Sequence, residues 1–191
     1  MRVYWCDLSP LLVQPAPFLR WCGDSGVSLE PYLRLDDALR HLAGRRLLQL
    51  ALARERPGVH TNVSHSGALV LCACGETPLG IDGEEIDRSA PPPEALLTAG
   101  ERSWARAQEQ PVRAFYRLWT RKESLIKAER RPLADLLVLP ELVEDGRLRS
   151  RIGGLRLAEL PLLPERYAVS VSAREIGPVD LIPVAPDRLF P

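Results

Sequence analysis

Phe115-Tyr116-Arg117-Leu118-Trp119-Thr120-Arg121-Lys122-Glu123-Ser124-Leu125-Ile126-Lys127 is the stretch on which the architecture turns. It lies between Pro111 and Pro132 with no proline or glycine inside, so it reads as one helix over about 112–129. At helical spacing Phe115, Trp119, Glu123 and Lys127 fall in an i, i+4, i+8, i+12 row, where an aromatic wall runs into a carboxylate and an ammonium. Leu118, Leu125 and Ile126 supply the face toward a core. An ordinary amphipathic helix with a Glu-to-Lys pair reads equally well from this segment alone.

Outward from this helix the pattern alternates. A second helix is expected over 36–54, capped by Asp36 or Asp37, with Leu39, Leu42, Ala43, Leu47 and Leu50 at helical spacing and Pro57-Gly58 as its stop. A third is expected near 94–109, after a Pro91-Pro92-Pro93 loop. Residues 2–6 read as an opening strand, followed by a Pro- and Gly-rich loop to about 31. The apolar run 68–74, ended by Gly75, suits a strand buried on both faces, and after a Thr77-Pro78 turn 79–84 reads as its partner. Further strands are expected at 136–139, 148–152, 155–160, 167–173 and 181–184, the last a proline-bounded edge or tail. The expected class is α/β (α+β). A long helix followed by an apolar strand occurs twice (69–73, then 168–173), a faint echo of two similar halves joined near 91–93.

The chain has 191 residues, 46% hydrophobic and 26% charged, with 25 basic and 25 acidic side chains. The apolar fraction excludes a disordered chain, and the charge balance excludes a generic polyanion binder. Asp7 interrupts any apolar secretory segment, and runs such as 68–73 fall far short of the roughly 20 residues that span a bilayer. The four cysteines show no disulfide framework, and Cys72 and Cys74 read as small buried hydrophobes. A soluble, reduced, cytoplasmic monomer with neither a nucleic-acid nor a membrane partner is expected. Of the basic residues 23 are Arg, and the two Lys, Lys122 and Lys127, both fall in the opening stretch.

Two further segments carry chemistry. In Gly80-Ile81-Asp82-Gly83-Glu84 an extended chain puts Asp82 and Glu84 on one face, a pair suited to a hard cation, or simply a solvated acidic turn. In Asn62-Val63-Ser64-His65-Ser66-Gly67 neighbours point to opposite faces, so His65 is poorly placed as a base for Ser64. An anion-receiving turn and a purely structural turn both remain open there. Carboxylates, lysines and a His/Ser turn together suit a metal-bound polyphosphate, without a Walker A loop or a Gly-x-Gly-x-x-Gly fingerprint.

These three segments, in this order and at about this spacing, resemble the Sfp-type 4′-phosphopantetheinyl transferases. The family pattern is Asn-x-Ser-His-Ser, then Gly-(Ile/Val)-Asp-x-Glu, then Trp-x-x-Lys-Glu-(Ser/Ala)-x-x-Lys, matched here at 62–66, 80–84 and 119–127. The resemblance runs from Asp37 through 167–173. It implies two pseudo-symmetric halves, 1–90 and 91–191, each a small mostly antiparallel sheet on a long helix, with the active site in the cleft between them.

It also implies Mg²⁺-dependent transfer (Mn²⁺ can replace it) of the phosphopantetheine arm of coenzyme A. The acceptor is a serine of an apo acyl or peptidyl carrier protein, and 3′,5′-ADP is released. By that likeness Asp82, Glu84 and Glu123 hold the metal, and Glu123 also takes the serine proton. Lys127 binds the transferred phosphate, and Lys122 assists at the pyrophosphate or the base. Ser64 and His65 contact coenzyme phosphates, and Arg40 the 3′-phosphate. The chain departs from the family at Gly83, where a hydrophobic residue is usual, and lacks a Gly-Lys-Pro turn before residue 62. A catalytically weak module that binds coenzyme A or a carrier protein is the alternative. Arg102, Arg106, Arg113, Arg117 and Arg121 are expected either to steer an acidic carrier or to form a solvated basic face.

Overall fold

A computed structural model describes residues 1–89 and 94–191, so the Pro91-Pro92-Pro93 connection lies outside the described residues. The chain opens with β1 (Arg2–Asp7), α1 (Ser9–Val13), α2 (Ala16–Asp24), α3 (Leu35–Leu52), β2 (His60–Ser66), β3 (Leu69–Gly75) and β4 (Leu79–Glu85). It continues with α4 (Ala99–Arg106), α5 (Pro111–Ala128), β5 (Val143–Glu144), β6 (Arg147–Leu148), β7 (Arg151–Ile152) and β8 (Leu155–Glu159). It closes with β9 (Tyr167–Ala173), β10 (Asp180–Pro183) and α6 (Pro186–Leu189). This is the mixed α/β architecture that the sequence pattern implies.

Two four-stranded sheets carry the fold, in orders β10-β1-β3-β2 and β4-β9-β8-β7. All their pairings are antiparallel except β1 with β10. Strand β3 is buried on both faces, as its unbroken apolar run requires. Val70, Cys72 and Cys74 pack toward α3 with Leu39, Leu42 and Leu47, while Leu69, Leu71 and Ala73 enter a second core between the sheets with Ile81, Val169 and Val171. Helix α5 packs on the second sheet through Phe115, Leu118 and Leu125, against Leu155 and Leu157. The sheets do not divide the chain at 90: β4 already lies in the second sheet, and β10 returns to the first.

Several expectations are corrected. Strand 79–84 is not the partner of 68–74. Both edges of β3 are taken by β1 and β2, so β4 pairs with β9 instead, in register from Leu79↔Ala173 to Glu85↔Tyr167. The supposed loop to residue 31 contains α1 and α2. Pro10 and Pro17 stand in their first turns, where a missing N–H costs nothing. Residues 136–138 belong to a 3-10 segment, Leu133–Val138, in which Leu136 alone is buried, and Leu139 follows it in extended conformation. A short apolar run cannot distinguish that from a strand. The helix near 94–109 shortens to α4, which begins at a capping box formed by Thr98 and Glu101.

Candidate active site

The site begins at a seam between two sheet edges. β2 is the edge of one sheet and β4 the edge of the other, so each has a row of backbone groups without a strand partner. Side chains of β2 fill that need. Asn62 Oδ1 accepts from the Ile81 N–H at 2.8 Å, Ser64 Oγ from the Gly83 N–H at 3.3 Å, and Ser66 Oγ from the Glu85 N–H at 3.1 Å. The period of two on both strands keeps the three contacts in phase. The alternate residues Val63 and His65 face α3, where Gly44 leaves them room.

Gly80 sets the depth of α5. A Cβ there would lie 2.0 Å from the Ser124 carbonyl oxygen, so only glycine lets the helix backbone cross β4 this closely. Cross-links to β9 hold the crossing: Thr120 and Ser170 hydroxyls lie 2.9 Å apart, and Ser124 and Ser172 hydroxyls 2.7 Å. Glu123 and Lys127 are thereby laid over Asp82. Gly83 also has a packing reason, since a Cβ there would meet Leu71 Cδ1 at 2.6 Å. Leu71 from the facing sheet fills the space that a side chain at residue 83 would use.

A cleft of about 400 Å³ results. Ser64, His65, Asp82, Glu84, Glu123 and Lys127 line it together with His41, Gly44, Arg45 and Leu48. Lys127 Nζ donates to Asp82 Oδ1 at 2.6 Å and lies 3.7 Å from Glu123. Ser64 Oγ donates to the same Asp82 oxygen at 2.8 Å, and Ser66 Oγ to Glu84 Oε2 at 2.5 Å. Asp82 Oδ2 is buried and has no hydrogen-bond partner among the described residues. Burial, and then the Asp82 charge, push the Glu84 carboxyl up to about 7. The same two causes raise Glu123, with Lys127 opposing them. His65 is exposed, yet desolvation of the ring, and after it the neighbouring Arg40, His41 and Lys127, lower its pKa.

Three mutually repelling carboxylates and an orphaned buried oxygen are the donor chemistry of a hard-cation site. In the arrangement seen, Lys127 supplies the positive charge. Among the described residues no three His, Cys, Asp or Glu side chains converge closely enough to enclose a metal ion.

Not every expected residue comes here. Lys122 points away from the cleft into the interior and forms a buried ion pair with Glu101 of α4 at 2.9 Å. On α5 it stands one residue from Glu123, so helical rotation turns it to another face. Arg40 is held by Asp36 and Asp37 and donates to the Gly67 carbonyl, outside the cleft lining. The arginine array is partly paired within the chain. Arg106 pairs with Glu94, and Arg117 and Arg121 share Glu159. Arg102 donates to backbone carbonyls. Residues missed from sequence are His41 and Arg45, which with Gly44 and Leu48 form the i, i+3, i+4, i+7 row of α3 facing the cleft. That row was legible as a helical face, but nothing local showed what it faced.

Residues 78–170, which contain the acidic strand and all of α5, match the family described as the 4′-phosphopantetheinyl transferase superfamily. Curated relatives agree. The 4′-phosphopantetheinyl transferase gsp of Aneurinibacillus migulanus is 41% identical over 73 residues, 37% of this chain and 31% of the relative. The transferase Sfp of Bacillus subtilis (strain 168) is 37% identical over 87 residues, 41% and 36% of the two chains. The transferase psf-1 of Bacillus pumilus is 33% identical over 123 residues, 62% and 52%. The chain thus spans about a third to a half of the length of these curated relatives. Among the described residues no helix is long and apolar enough to cross a membrane.

Proposed function

We propose that the chain transfers the 4′-phosphopantetheine arm of coenzyme A to a serine hydroxyl of an apo acyl or peptidyl carrier protein, releasing 3′,5′-ADP. The observation that supports this most is the meeting of Asp82, Glu84, Glu123 and Lys127 in one cleft, all within the superfamily match. Phosphoryl transfer needs charge neutralisation and in-line positioning more than covalent help.

In this reading the carrier serine oxygen forms a bond to the pantetheine-side phosphorus, and the bond from that phosphorus to the oxygen of 3′,5′-ADP breaks. Glu123 takes the serine proton. Its desolvated carboxyl, raised above the ordinary carboxylate range, is a better base than a solvated glutamate. Lys127, only a quarter exposed, places its ammonium beside the transferred phosphate and the leaving oxygen. His41, Arg45 and His65, on the wall formed by α3 and β2, receive the coenzyme's remaining phosphates. Asp82, Glu84 and Glu123 would hold Mg²⁺, which supplies Lewis-acid neutralisation of the pyrophosphate. We place the protein in the cytoplasm as a monomer, in keeping with four buried free cysteines.

The test is incubation of the purified chain with Mg²⁺, coenzyme A and a panel of apo carrier proteins, followed by mass spectrometry. A gain of one phosphopantetheine unit is expected, and it should disappear in Glu123→Gln. No gain with any carrier, together with tight coenzyme binding by calorimetry, would leave a binding module instead.

A further inference from the structure

We propose that Ser64 and Ser66 are positioning residues that fix the Asp82 and Glu84 carboxylates for a divalent cation. The proposal rests on the reading that these acids hold Mg²⁺.

A serine hydroxyl has one proton and two lone pairs. Each of these hydroxyls already accepts the N–H of the residue that follows an acid: Gly83 for Ser64, Glu85 for Ser66. Its proton is then directed to the acid itself, at 2.8 Å for Asp82 Oδ1 and 2.5 Å for Glu84 Oε2. The same two-bond unit thus occurs twice along the seam, two residues apart on both strands. Each unit ties a carboxylate to the backbone that carries it. For Asp82 the result is that Oδ1 is occupied and the buried Oδ2 is the oxygen left to meet a cation. For Glu84, Ser66 is the one hydrogen-bond partner among the described residues. Without it the longer side chain keeps its rotamer freedom, and a metal ion would have to order it. Partners of this outer kind commonly change metal affinity by about 10- to 100-fold.

Magnesium titration calorimetry on the full chain tests this without reference to turnover. Ser66→Ala should weaken Mg²⁺ binding about tenfold or more. Ser66→Thr, which keeps the hydroxyl, should stay within about twofold of the parent. Ser66→Cys, similar in shape but a poor donor, should behave as alanine does. In a Glu84→Gln background Ser66→Ala should cost nothing further, because the two act as one unit. In the transfer assay the half-saturating Mg²⁺ concentration should rise while the KM for coenzyme A holds.

Parent affinity in Ser66→Ala, equal losses in Thr and Ala, or additive losses with Glu84→Gln would each overturn the positioning role alone. If Ser66→Ala does not fold, the Thr and Cys variants decide the matter. Absence of Mg²⁺ binding by the parent chain would instead overturn the metal reading, and this inference with it.

Discussion

Lys122 Nζ lies 2.9 Å from Glu101 Oε2, and both side chains are almost wholly removed from water. Glu101 also accepts from the backbone N–H groups of Thr98 and Leu142, so the pair ties α5 to the start of α4 and to the segment before β5. Taking one partner from a buried pair leaves a charge without solvation. Lys122→Met is therefore expected to lower stability by about 3–5 kcal/mol, read from urea denaturation. Transfer per folded molecule, measured in the cold, should stay within a few-fold of the parent. A large loss of turnover at unchanged stability would return Lys122 to the chemistry.

Lys127 should show the opposite profile. Its ammonium sits at the cleft on Asp82, not inside the core. Lys127→Ala is expected to reduce carrier modification by at least about 100-fold, the usual weight of a proton-transfer or charge-stabilising group. Thermal melting should fall less than in Lys122→Met, since Lys127 itself is a quarter exposed, although the buried Asp82 loses its cation. Initial rates by mass spectrometry, alongside a melting curve, separate the two effects.

The Glu84 carboxyl gives a pH signature. Its folded-state pKa, about 7, is raised above the ordinary 4.5, so folding favours the neutral acid. That contribution is fully present below the unfolded value and is lost as pH rises through the folded one. In chelator, stability should fall between pH 5 and pH 8 by up to about 3 kcal/mol from this group. Glu84→Gln should remove that part of the slope, and Mg²⁺ at pH 8 should restore stability by binding the folded form. Urea midpoints at the two pH values provide the check.

Arg45 and Arg40 should separate in the same way. No ion pair involving Arg45 is found among the described residues, and it lines the cleft, whereas Arg40 is held by Asp36 and Asp37. Arg45→Ala is expected to raise the KM for coenzyme A about tenfold or more, the weight of a charge-assisted hydrogen bond. Arg40→Ala should mainly remove two helix-surface pairs, about 1 kcal/mol or less of stability. A larger KM effect at Arg40 would show that coenzyme draws it out of its pairs.

Gly80→Ala probes the helix crossing. The added methyl would have to displace the α5 backbone at Ser124 and Ala128. A loss of about 3 kcal/mol or more is expected, above the common range for overpacking because no side chain can give way. The soluble yield and the denaturation midpoint report it.

Local pattern carried much of this molecule. The unbroken apolar run of β3, the proline-bounded α5 and the strand at Tyr167–Ala173 were readable because period, length and breakers are properties of neighbouring residues. Strand pairing was not. Only the occupation of both β3 edges by β1 and β2 sent β4 to the other sheet, and that is a contact between residues far apart in the chain.

The candidate site divides along the same line. By itself the sequence determined which chemistry was available: two acids at alternate strand positions, Glu123 and Lys127 four apart on a helix, and a Ser/His segment, expected as a turn but found as strand β2. The tertiary structure decided which of these residues meet. It placed Lys127 on Asp82, turned Lys122 inward to Glu101, brought Arg45 to the cleft in place of Arg40, and set Ser64 and Ser66 across an edge from the acids. The reason is rotational and topological. One residue along a helix turns a side chain by about 100°, and one choice of sheet edge selects which strand a hydroxyl can reach.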